Sequence, residues 1–141
     1  MLVRLLYVSR ALDPDASAAT DAILAVAREH NMANGITGIL CYGGGIYLQA
    51  IEGGRNAVNE LYGHIQRDAR HKDVILLHYE EIEERRFGSW TMGQVNLTRL
   101  NTSIVLKYSE THDLDPYAVS GSVSLALLEE LMATASIIGR G

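Results

Sequence analysis

Apolar and polar positions alternate at strand period in some stretches of the chain and recur at helical period in others, and this predicts the elements in order. Val3, Leu5 and Tyr7 alternate with Arg4, Leu6 and Val8, giving a strand over residues 2–8 that is apolar on both faces. Such a strand belongs in the middle of a covered sheet. Over residues 18–32 the period changes, with Ile23, Val26, Ala27 and His30 at helical spacing. Asp13-Pro14-Asp15 reads as a turn ahead of this helix and Ser17 as its N-cap. Asn34-Gly35 closes it, since both residues tolerate positive φ. Strands are expected over 36–42 and 46–52, joined tightly through Gly43-Gly44-Gly45. Val58, Leu61, Tyr62 and Ile65 predict a helix over 56–69, and strands follow at 74–79 and 89–95. Residues 98–108 and 122–138, separated at Asp115-Pro116, read as two more helices, the second through Val123, Leu127, Leu128, Leu131 and Met132.

The order βαββαββ is that of a split βαβ, a ferredoxin-like α+β sheet. It places the first and third strands side by side at the centre and the first two helices on one face. The opposite face needs a cover, which the two C-terminal helices supply. At 141 residues the chain has the length of one domain. The expected division is a domain over 1–96 and a helical extension over 97–141 that packs on the sheet.

Charge and composition remove several classes of function. A net charge of −5 offers no basic field for nucleic acid or an anionic membrane. The single cysteine, Cys41, excludes an internal disulfide and fits a reducing cytoplasm. No apolar run approaches the roughly 20 residues of a membrane helix, and the short apolar N-terminus lacks a signal-peptide pattern.

The candidate chemistry comes from residues out of place. Gln49 shares a strand face with Tyr47 and Ile51, amid apolar neighbours, where an unpartnered amide costs about 1–3 kcal/mol. Tyr7 shares its face with Val3 and Leu5, while His30 and Asn31 fall near the end of the first helix. Trp90 and Met92 are expected to point the same way from the last strand. Together these residues would line one cleft suited to a planar heteroaromatic ring edged with carbonyls and nitrogens. Each also has an ordinary reading: a core tyrosine, a glutamine bonded to backbone, an asparagine serving a helix end. Their convergence is what favours a ligand.

No nucleophile–base pair stands out, so an enzyme is not expected. Glu52, Arg85 and Arg86 read as solvated charges, and His64, His71, His78 and His112 lack metal-ligand spacing. Cys41 reads as a core residue. A nicotinamide-using reductase is disfavoured by the lack of a Gly-rich fingerprint after a strand.

The motifs resemble those of BLUF domains, the flavin-based blue-light sensors. The similar segments are Leu5-Leu6-Tyr7 with Ser9, Asn31 with 34–38, Tyr42, Leu48 to Gly53, Ile65 to His71, and Arg86 to Met92, in order over roughly residues 1–95. The resemblance implies bound FAD, with FMN also accommodated, and no catalytic turnover. It makes Tyr7 the redox-active tyrosine and Gln49 the amide between that phenol and the flavin. Asn31 would bond the ring's carbonyl and N3 edge with His30 beside it, and Ile23 and Ile65 would sandwich the ring. Ala27, Asp68, Arg70 and His71 complete the implied binding set, with Arg70 toward the ribityl or phosphate end. Ala27 stands where members often carry Ser or Thr, so one polar contact is missing. In the implied mechanism, light drives electron and proton transfer from Tyr7 through Gln49, and the hydrogen bonds to the flavin rearrange. Trp90 and Met92 would then pass the change through the last strand to the C-terminal helices. The output would reach an unidentified effector protein, and exposed apolar residues on those helices suggest a homo-oligomer.

Overall fold

The computed structural model describes residues 1–13 and 17–134, the side chains of 17–20 excepted. The turn at Pro14-Asp15, the capping role of Ser17 and residues 135–138 of the last expected helix lie outside the described residues. The chain runs β1 (Leu2–Ala11), α1 (Ser17–Asn34), β2 (Thr37–Gly43), β3 (Ile46–Gly54), α2 (Arg55–Arg67), β4 (His71–Ile82), β5 (Gly93–Asn96), a 3-10 turn (Leu97–Arg99), α3 (Thr102–Tyr108) and α4 (Gly121–Ala133).

The five strands form one sheet in the order β4-β1-β3-β2-β5. β1 pairs antiparallel with β3 and β4, β2 antiparallel with β3, and β5 parallel with β2. This is the expected ferredoxin-like arrangement, with β1 and β3 adjacent. The β2–β3 hairpin closes through Gly44 and Gly45 at φ 62° and 78°, a conformation that glycine adopts without steric cost.

The sheet separates two apolar clusters. Val3, Leu5, Tyr7, Tyr47 and Ile51 pack with Leu24 of α1 and Val58 of α2. Leu6, Val8, Leu48 and Ala50, one step along the same strands, pack with Leu125, Leu127, Leu128 and Leu131 of α4 on the other side. Alternation in β1 and β3 therefore sorts the side chains as a two-sided strand requires. α4 sits close against β4 because Gly121 has no side chain: a Cβ there would lie 2.2 Å from the Leu77 carbonyl oxygen.

The structure corrects three expectations. β5 begins at Gly93 rather than at 89, so Trp90 and Met92 precede it in a segment without strand pairing. Strand parity does not govern that segment, and the two side chains part: Trp90 joins the cluster beneath α4, and Met92 joins the cluster beneath α1 and α2. Glu52, expected in solvent, is fully buried and bonded to Arg4. Finally, the α4 leucines are covered, and among the large apolar residues of α3 and α4 Leu106 is the exposed one, at 51%.

Candidate functional site

On the α1–α2 face lies a cavity of about 330 Å³. Its walls come from both helices and the sheet: Ile23, Val26, Ala27, His30 and Asn31 of α1; Leu61, His64 and Ile65 of α2; Tyr7, Leu40, Tyr47 and Gln49 of the strands; and Asp68, Arg70 and His71 following α2. The structure thus gathers every cofactor-contacting residue expected from sequence around one space. It leaves Trp90 and Met92 off the lining. Val26, Leu40, Tyr47, Leu61 and His64 were not expected there, although the pattern carried a signal for three. Leu61 is one turn from Ile65, Tyr47 shares the Gln49 face, and Leu40 pairs with Gln49 across the β2–β3 ladder.

Tyr7 and Gln49 are direct cross-strand partners in the β1–β3 ladder. The Tyr7 hydroxyl donates to Gln49 Oε1. The Gln49 Nε2 donates to Met92 Sδ at 3.3 Å, a weak acceptor that leaves a second N–H for another partner. Burial pushes the Tyr7 phenol far above its ordinary range, with the neighbouring Tyr62, Asp68 and Tyr47 adding to the shift. The ring of Tyr62 lies 5.8 Å from that of Tyr7.

At one end of the cavity Asn31 Nδ2 donates to the Thr91 carbonyl at 3.1 Å. Its Oδ1 is buried with no hydrogen-bond partner among the described residues. A buried acceptor left so is costly unless a ligand brings a donor. At the other end Arg70 grips Asp68, Nη2 to Oδ2 at 2.6 Å and Nε to Oδ1 at 3.0 Å. The Arg70 side-chain hydrogen bond leads the lowering of the Asp68 pKa. His71 contacts the Ile65 carbonyl through Nε2 at 2.5 Å and Ser9 Oγ through Nδ1 at 2.7 Å. A carbonyl can only accept, so Nε2 carries a proton toward Ile65.

These features fit a flavin. Aliphatic side chains from two helices match the faces of a flat tricyclic ring, and the orphan Oδ1 of Asn31 matches an imide N–H on its edge. Cys41 lies in the cluster on the opposite face, its thiol pushed up by burial, so the site offers no thiolate for a covalent adduct. Among the described residues no group of three or more His, Cys, Asp or Glu could hold a metal.

The comparisons agree with this geometry. Residues 2–93 match the profile of the BLUF family, described as sensors of blue-light using FAD. The chain is 37% identical over 102 residues to the photoactivated adenylate cyclase subunit beta of Euglena longa, covering 72% of this chain and 12% of that protein. Among solved structures it is similar to BlsA in its photo-activated state, with 32% identity and a TM-score of 0.82 over 94% of this chain and 95% of that one. It is also similar to BlrB, a BLUF protein in its dark state, with 34% identity and a TM-score of 0.79 over 95% and 96%.

The fold and site define a flavin-holding blue-light photoreceptor, and the chain belongs to the BLUF family. Its cofactor is a flavin, FAD by the family's description. The expectation of a sensor rather than an enzyme stands on the near end-to-end matches to BlsA and BlrB. The chain spans about a tenth of the length of the curated relatives it matches.

Proposed function

We propose that this chain is a blue-light switch whose moving part is the Gln49 side chain. The observation that carries the reading is the line Tyr7–Gln49–Met92, which begins at two residues of the cavity wall and ends just behind it, with a phenol, an amide and a thioether hydrogen-bonded in sequence. Ile23 and Ile65 hold the two faces of the ring, with Ala27 and His30 beside it. Asn31 takes the ring's imide edge, and Asp68, Arg70 and His71 surround the ribityl end. FMN satisfies the same ring contacts as FAD.

When bound and excited by blue light, a flavin supplies a strong oxidant in this cavity. Tyr7 is the electron donor beside it, and the hydroxyl proton has Gln49 Oε1 to receive it. Because burial holds the phenol protonated in the dark, the proton leaves only with the electron. When both return to Tyr7, the Gln49 amide stays rearranged, by rotation or tautomerisation. An amide carries donors and an acceptor on one plane, so it has two bonding patterns to the same neighbours. With a flavin in the cavity, the rearranged amide would offer its N–H to the ring carbonyl, which would move absorption to the red.

Residues 1–96 act as the sensing domain and 97–141 as the output extension, packed through α4 on the back of the same sheet. From there the signal passes to an effector protein or a second copy of the chain. The free, buried Cys41 supports a reducing compartment such as the cytoplasm; among the described residues no helix is long and apolar enough to cross a membrane.

The test is the absorption spectrum of the purified protein before and after blue light, with the pigment released by heating then identified. A flavin spectrum that shifts red and recovers in the dark supports the proposal. A flavin spectrum unchanged by light, or colourless protein that takes up no flavin, rejects it.

A further inference from the structure

Gln49 and Glu52 stand three residues apart on β3 and face opposite sides of the sheet. Gln49 Nε2 meets Met92 on the cavity side, while Glu52 meets the start of the same segment on the α4 side. The Glu52 carboxylate is fully buried. Its Oε2 accepts from Arg4 Nε at 2.9 Å and from the backbone N–H of Arg86 at 3.0 Å, and its Oε1 accepts from the N–H of Phe87 at 2.6 Å. Arg4, only 2% exposed, lies 5.9 Å from the Phe87 ring and also reaches Glu80. A buried charge is tolerated when its partners are complete, and here two of those partners are backbone groups of a segment with no helix or strand of its own.

We infer that Glu52 is a positioning residue: its carboxylate clamps Arg86 and Phe87, so that the segment 83–92 carries at one end the Met92 contact with Gln49 and at the other a contact with α4. The α4 contact has two parts. Phe87 is buried in the cluster that holds Leu127, Leu128 and Leu131, and the Arg86 side chain is ion-paired with Glu129. This inference rests on the Gln49 switch proposed above and names how its state reaches α4. The switch supplies the two-state element that a claim of coupling requires.

The clamp sets how firmly Met92 is held against Gln49, and therefore how readily the amide turns back after illumination. Glu52→Gln keeps the size of the side chain but cannot accept both amides while balancing Arg4. It is expected to retain the red shift and to recover at least about tenfold faster in the dark. A folded, flavin-loaded Glu52→Gln protein with unchanged recovery overturns the clamp.

Should that variant fail to fold, the surface pair decides. Hydrogen–deuterium exchange of residues 121–133 is compared between dark and light in the full chain. Glu129→Arg, opposite Arg86, is expected to keep the flavin shift and at least halve the light–dark difference. The exchanged pair Arg86→Glu with Glu129→Arg is expected to restore it. A difference unaltered in Glu129→Arg, a loss not restored by the exchanged pair, or no light–dark difference in the parent protein overturns the inference. Absence of a red shift in the parent protein instead sinks the switch itself.

Discussion

Tyr7 and Gln49 face each other across the β1–β3 ladder, at neither end of it but well inside a register that runs from Leu2–Gly54 to Arg10–Ile46. Cross-strand partners on one face are held within side-chain reach by the ladder itself. A slip of one residue would send Gln49 to the α4 side, so the register that packs the core also sets the phenol–amide contact. Tyr7→Phe removes the phenol and little else. Loss of one buried hydrogen bond is expected to cost about 0.5–1.5 kcal/mol. The protein should melt cooperatively with flavin bound and show no normal light-induced shift. A melting curve and a light-minus-dark spectrum check both halves.

Asn31 holds the Thr91 carbonyl with its nitrogen, and its buried oxygen has no hydrogen-bond partner among the described residues. Asn31→Ala removes both polar atoms. The expected cost in flavin binding is about 1–3 kcal/mol, roughly five- to 150-fold in Kd. Titrating flavin-free protein by the quenching of flavin fluorescence measures this, and an unchanged Kd would remove Asn31 from the binding set.

Much of this arrangement was legible in the sequence because it follows from period. Two-residue alternation gave Tyr7 and Gln49 their apolar strand faces in β1 and β3, while the placing of Ile23, Ala27 and Ile65 about the ring came from the resemblance to BLUF domains. The misreadings have separate causes. Trp90 and Met92 lie in a segment where the backbone turns irregularly, so the alternation that worked in β3 gave the wrong partner for Trp90. Glu52 was read as solvated because its charge is visible in the sequence, whereas Arg4 and the amides of residues 86 and 87 that balance it become neighbours only on folding. The position of Leu40 in the cavity wall likewise depends on β2–β3 pairing.

The raised Tyr7 pKa fixes the response to alkali. Burial lifts it above the unfolded value near 10, so the folded state holds a proton that the unfolded chain gives up. That difference stabilises the fold fully below about pH 10 and is lost as pH rises further. The light-induced shift is therefore expected to keep constant size from about pH 6 to about pH 9, since the phenol stays protonated throughout. Above about pH 10, Tyr7 should ionise only as the protein unfolds and releases flavin. Phenolate absorbance compared between the parent protein and Tyr7→Phe follows this directly. A shift that declines with an apparent pKa in the neutral range would contradict it.

Gly121 lets α4 lie against β4, and a Cβ there would press on the Leu77 carbonyl oxygen at 2.2 Å. Backbone at that distance has little room to yield. Gly121→Ala is expected to cost about 1–3 kcal/mol and lower Tm by several degrees. Because the glycine lies across the sheet from the cavity, flavin should still bind. Thermal denaturation monitored by circular dichroism and by flavin release separates the two effects.

The claim that most of the account depends on is that the Gln49 amide is the switch, and the light-minus-dark absorption spectrum of Gln49→Leu tests it most directly. Leucine fills similar space but offers neither donor nor acceptor, so the variant is expected to bind flavin and give no red shift under blue light. A red shift of the parent's size in that variant would contradict the account.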